Sequence, residues 1–332
     1  MTDANNEERM PRIGLNAIIA YVVLAMGLAW LVALPLWLGD GLATPGAALL
    51  LPVMMYAPAA AVLIVMLVLR PVPRGRRLRF LGMWPLRPAK RVIWMSVIAV
   101  FGSLAVVIVA LAVAALSGWI TLDLVNFSGY EEILKSNPVV AAAGKELPPA
   151  GLLILTQLIA IPFAAVTINA LAAFGEELGW RGFLVPALRQ YGTWTALLVS
   201  GAIWGLWHAP VILLGYNFGR TDITGVLLMT GGCIAWGVLL GWLRLRSASL
   251  WPAVFAHGTM NASAGLPLVL YAAGTRVDPA LSLALGISGW IVCAVVVVVL
   301  LLTGQFRRQP ALAASRPKPA PPAPPAPPAS TP

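Results

Sequence analysis

The chain has 332 residues, 60% of them hydrophobic and only 10% charged, where an ordinary soluble domain carries about 25% charged residues. That balance excludes a soluble globular enzyme and places the chain in the membrane class. The net charge of +10 is not a nucleic-acid signature, because the basic residues sit in short loops beside apolar runs, where they orient spans.

The opening MTDANNEERM carries three acids. The positively charged segment of a cleaved signal peptide is therefore missing, residues 1–12 read as a cytoplasmic N-terminal tail, and the first span is expected to stay as an anchor. A bilayer core needs about 20 apolar residues per helix. That length predicts an all-α polytopic membrane protein of about eight transmembrane helices, with a polar active-site cavity inside the bundle. The spans fall at 13–38, 47–69, 92–116, a fourth from near Ala150, then 194–214, 224–243, 250–271 and 280–302. Residues 13–149 thus form an N-terminal group of helices, 150–273 a catalytic core, and 274–303 a last span. Residues 304–332 form an Ala/Pro-rich tail that cannot pack a core and is expected to be disordered and cytoplasmic. No internal repeat is visible, which gives a transporter of inverted halves little support. Cys233 and Cys293 lie in apolar runs and read as small core residues.

Loop charges set the orientation. The loop 70–91 carries Arg70, Arg74, Arg76, Arg77, Arg79, Arg87, Lys90 and Arg91 with no acid, so it is expected to be cytoplasmic. Threading eight spans from there puts both termini inside. Of the 22 Lys and Arg, only Lys135, Lys145, Arg220 and Arg276 then face the other side. The alanine-rich composition suggests a prokaryotic plasma membrane. Membrane lipids are the expected surroundings, with headgroups beside the basic loop.

Ionisable groups inside apolar spans are costly and mark function by default. Here they are few. Phe174-Gly175-Glu176-Glu177-Leu178-Gly179-Trp180-Arg181 sets two carboxylates and a guanidinium in hydrocarbon, and the chain's two histidines, His208 and His257, each lie in a later span. Glu177 and Arg181 are four apart, so they share a helical face and can pair. Glu176 points about 100° away, free to face a cavity. His257 and Asn261 repeat the spacing, as do Trp204 and His208, where the indole would wall the imidazole. Counted at about 1.5 Å per residue from their cytoplasmic ends, Glu176, His208 and His257 lie roughly 18, 22 and 15 Å deep. Three helices therefore bring their polar groups to a similar level.

Peptide hydrolysis needs a base to activate water and donors for the tetrahedral oxyanion. A carboxylate in hydrocarbon is a stronger base than one in water, and neutral imidazoles and an amide donate without adding a second buried charge. One carboxylate and two histidines are also a familiar ligand set for a divalent metal such as zinc. Glu176, His208 and His257 are therefore candidate metal ligands, although the HExxH arrangement is missing.

The pattern EExxxR, then an aromatic-xxx-His, then HxxxN resembles the CAAX protease and bacteriocin-processing family of intramembrane proteases, the Abi family, over roughly residues 150–271. The resemblance implies water activation by Glu176 and His208, an oxyanion site of His257 and Asn261, and a supporting pair of Glu177 and Arg181. Trp204 stands where the family often has Phe. The resemblance leaves open whether a metal or the glutamate alone drives the chemistry. The substrate it implies is a membrane-associated peptide or protein reached from the cytoplasmic side. Two other readings compete with this intramembrane endopeptidase: a non-catalytic scaffold or immunity protein that binds a peptide or protein partner, and a proton-relaying transporter.

Overall fold

The computed structural model describes residues 10–136 and 149–307. The start of the N-terminal tail, Lys145 and Glu146 in the acidic loop, and the Ala/Pro tail from 308 onward lie outside the described residues.

The chain is an all-α polytopic membrane protein. Its longer helices are α1 (Leu15–Leu38), α2 (Ala47–Met54), α3 (Ala57–Val68), α4 (Ala89–Leu116), α5 (Ser128–Ser136), α6 (Ala150–Val166), α7 (Ile168–Glu177), α8 (Thr193–Trp207), α9 (Ile223–Ser247), α10 (Trp251–Ala262) and α11 (Ile287–Leu302). The only pairing of extended backbone among the described residues is an isolated antiparallel bridge between Leu122 and Tyr271. Large apolar side chains such as Val23, Leu67, Phe101 and Val295 lie on the outside of the bundle, as a hydrocarbon solvent allows.

The expected count of eight spans is not confirmed. Among the described residues five stretches are long and apolar enough to cross: Leu15–Leu38, Ala47–Val68, Ala89–Leu116, Ile223–Ser247 and Pro279–Leu302. A sixth exists if α6 and its continuation to Tyr191, bent by 43°, count as one. The bend falls at Thr167, whose backbone (φ −118°, ψ −100°) is not helical. The shortfall comes from α8 and α10, which run only 15 and 12 residues before the helix breaks and restarts at Ala209–Ile212 and Leu266–Leu270. Continuous apolar sequence hid those breaks.

The bundle has two distinguishable ends. At the basic-loop end, Gln190 Nε2 donates to the Ile13 carbonyl at 2.8 Å, and the Leu250 N–H donates to Gly82 at 2.8 Å. At the other end, Trp37 Nε1 donates to the Pro210 carbonyl at 2.8 Å and the Ala272 N–H to Thr121 at 2.9 Å. There Asp123 accepts from the Ser128 hydroxyl at 2.7 Å. That bond first, then the Asn126 N–H, holds its carboxyl down at about 2.

Small residues let α8 and α9 touch backbone to backbone. A Cβ on Gly205 would lie 2.3 Å from Thr230 Cα, and one on Gly201 2.8 Å from Ile234 Cα; on the α9 side, one on Gly237 would lie 3.2 Å from Gly201 Cα. This is the small-xxx-small packing of membrane helices. It sets the position of His208, which follows α8 directly.

Candidate active site

Glu176 and Glu177 close α7, and the helix then widens into a π-helical stretch, Leu178–Leu184. Such widened turns often occur at functional sites. The Val185 N–H bonds five residues back, to Trp180. In that register the Arg181 carbonyl would look to residue 186, but Pro186 has no N–H to give. A buried carbonyl needs a partner, and Arg244 Nε of α9 supplies it at 3.0 Å, while Arg244 Nη2 donates to the Phe80 carbonyl at 2.8 Å. A proline and a distant arginine thus hold the widened turn together.

Gly82 makes room for that guanidinium. Its φ is +74°, and a Cβ there would lie 2.7 Å from Arg244 Cζ. Gly82→Ala is therefore expected to cost about 1–3 kcal/mol through overpacking and backbone strain, read as a lowered unfolding midpoint in detergent. Gly75→Ala, where a Cβ meets nothing within 4 Å, is the control and should leave the midpoint in place.

The two carboxylates have separate surroundings. Glu177 is fully buried and pairs with Arg181 Nη1 at 2.8 Å. The same oxygen accepts from His257 Nδ1, also at 2.8 Å. The Arg181 guanidinium lies 4.3 Å from the Trp204 ring centre, a cation–π contact that shields the charge. Glu176 instead lines a cavity of about 560 Å³ with Trp204, His208, His257 and Asn261. Glu177 and Arg181 stand behind that wall. One Glu176 oxygen, Oε2, accepts from the indoles of Trp204 and Trp180, the latter at 3.4 Å. Those bonds leave Oε1 over.

The imidazoles are oriented by groups that can only accept. His208 Nδ1 lies 2.9 Å from the Trp204 carbonyl, so that nitrogen carries the proton and Nε2 keeps the lone pair when the ring is neutral. Cys233 Sγ lies 3.9 Å from the same Nδ1. His257 Nδ1, facing the Glu177 carboxylate, likewise donates. Trp204 links the groups: its ring centre is 6.0 Å from that of His208 and 5.4 Å from that of His257.

The spacing rule therefore placed Trp204 beside His208 but missed its bond to Glu176, a contact across 28 residues that only the packing of α8 against the π turn creates. Trp180 was legible as a neighbour four residues beyond Glu176 and was not singled out. For the candidate metal set of Glu176, His208 and His257, no group of three His, Cys, Asp or Glu side chains comes together as ligands among the described residues.

Fold and site together define a multi-pass membrane protein with an acid, two imidazoles and an amide on one cavity wall. Residues 158–263 match the family model described as Type II CAAX prenyl endopeptidase Rce1-like. The curated CAAX prenyl protease 2 of Methanococcus maripaludis is 30% identical over 98 residues, which cover 27% of this chain and 36% of that relative. The chain thus matches about a third of the relative's length. No solved structure matches the chain. The matched segment spans all six site residues.

Proposed function

We propose that the chain is an intramembrane endopeptidase that hydrolyses a peptide bond in a membrane-associated peptide or protein. The observation that carries this reading is the shared cavity wall: Glu176, His208, His257 and Asn261 reach it from three separate helical segments. The similarity to CAAX prenyl endopeptidases adds the reaction class.

In this reading Glu176 Oε1 takes the proton of a water in the cavity, helped by the lone pair of His208 Nε2, the water attacks the carbonyl carbon, and Glu176 then gives that proton to the amine nitrogen as the C–N bond breaks. Asn261 stabilises the oxyanion with its amide N–H, and His257 joins it through Nε2–H when both ring nitrogens carry protons, Nδ1 donating to Glu177. The indoles of Trp204 and Trp180 fix the carboxylate through Oε2. Glu177 holds His257 in place and is itself balanced by Arg181. No step is routed through a metal.

Purified protein in liposomes, given candidate membrane peptides with products read by mass spectrometry, tests the mechanism. Wild type is expected to cleave and Glu176→Gln to fall by about 10²–10⁴-fold, the scale at which general base catalysis operates. Both are expected to bind peptide alike. Equal cleavage by the two proteins removes the mechanism, and a chelator run in parallel reports on metal dependence.

A further inference from the structure

We infer that the peptide enters the cavity from the face opposite the basic loop 70–91. The inference takes the endopeptidase reading as its frame, because what enters is a peptide, but its geometry stands on the cavity alone.

The cavity is closed toward the basic loop. Below Glu176 in that direction lie Trp180, Phe183, Tyr21, Phe80 and Arg244, all at most 1% exposed. Their rings interlock, with Tyr21 and Phe183 centred 4.9 Å apart, Tyr21 and Trp180 5.8 Å, and Phe80 and Phe183 6.1 Å. Gly179 is pressed so closely under Pro58 and the Tyr21 hydroxyl that a Cβ would lie 2.4 Å from each. Interiors packed this tightly leave no channel.

Toward the other end the wall opens. The lining residues that are exposed, Ala48, Pro52 and Ala264, lie on α2 and just beyond α10, at the end marked by the Trp37–Pro210 bond. The cavity loops, at Tyr216–Asn217 and Leu283–Leu285, come from that end as well. The chemistry inside suits a main chain: Asn169, Asn217 and Asn261 line the space, and amides both donate to and accept from peptide groups. The loop-charge rule makes this face extracytoplasmic, whereas the sequence alone suggested access from the cytoplasmic side. The two routes give opposite labelling patterns.

Single cysteines at Ala172 (one turn before Glu176 on the cavity wall), at Ala264 on the rim, and at Gly75 in the basic loop read the route. A charged, membrane-impermeant methanethiosulfonate is added to one side of sealed vesicles of uniform orientation. The native Cys233 and Cys293 are buried and serve as background. Ala172→Cys and Ala264→Cys are expected to react at least tenfold faster from the side on which Gly75→Cys does not react. Reaction of Ala172→Cys from the Gly75 side, or from neither side, overturns the inference. Labelling needs no turnover. A protein that cleaves nothing therefore defeats the endopeptidase reading and leaves the labelling result standing, while a protein that cleaves but labels from the loop side defeats only the route.

Discussion

Arg181→Ala is expected to cost about 3–5 kcal/mol of folded-state stability, because it leaves a buried charge without its partner. Glu177 is fully buried, and its carboxylate is met by two donors, Arg181 Nη1 and His257 Nδ1, on one oxygen. The other oxygen, Oε2, has no hydrogen-bond partner within the protein. With the guanidinium gone, one imidazole must satisfy the whole group, and Trp204 loses the cation that covers its face. Arg181→Lys is expected to recover little, since an ammonium cannot stack on the indole and reach Oε1 with the same planar fork. The double variant Glu177→Gln with Arg181→Met should regain a large part of the loss, as neither charge is then buried. Reversible unfolding in mixed micelles measures all three. An Arg181→Ala protein within about 0.5 kcal/mol of wild type, the range of ordinary surface changes, would show that the pair contributes nothing to the fold.

Gly205→Ala should destabilise by about 3 kcal/mol, the upper end of the usual range for overpacking. The added methyl would lie 2.3 Å from Thr230 Cα, and backbone on a packed helix cannot step aside as a side-chain tip can. The helices must part, carrying His208 away from Cys233 and the cavity wall, so peptide cleavage should fall with stability. Gly27→Ala, with open space around it, is the matched control and should unfold with wild type. The same unfolding assay decides, and a Gly205→Ala midpoint equal to that of Gly27→Ala would show that α8 and α9 do not pack this closely.

Much of the site could be read from spacing alone. Four-residue separations brought Glu177 to Arg181, and the hundred-degree step sent Glu176 to the cavity, because both follow from local helical geometry. What escaped was non-local. The widened turn after Glu177 depends on Pro186 and on Arg244, 63 residues beyond Arg181, and neither signals a π register by itself. The indole bond to Glu176 needs the close approach of α8. Hydropathy likewise could not see that α8 and α10 stop short, since the residues that follow each break are as apolar as those before it.

The backbone contact between α8 and α9 also decides which parts of the molecule can breathe. Two helices joined with no intervening side chains move as one rigid beam, and π-turn residues wedged under Pro58 and Tyr21 are pinned in the same way. The α2 segment is different: it leans chiefly on α1, carries Pro52, and meets α3 at the turn Met55–Tyr56. Any widening at the cavity mouth is therefore expected at that short segment, whose turn the Tyr56 hydroxyl ties to α7 by its bond to the Leu171 carbonyl at 2.7 Å.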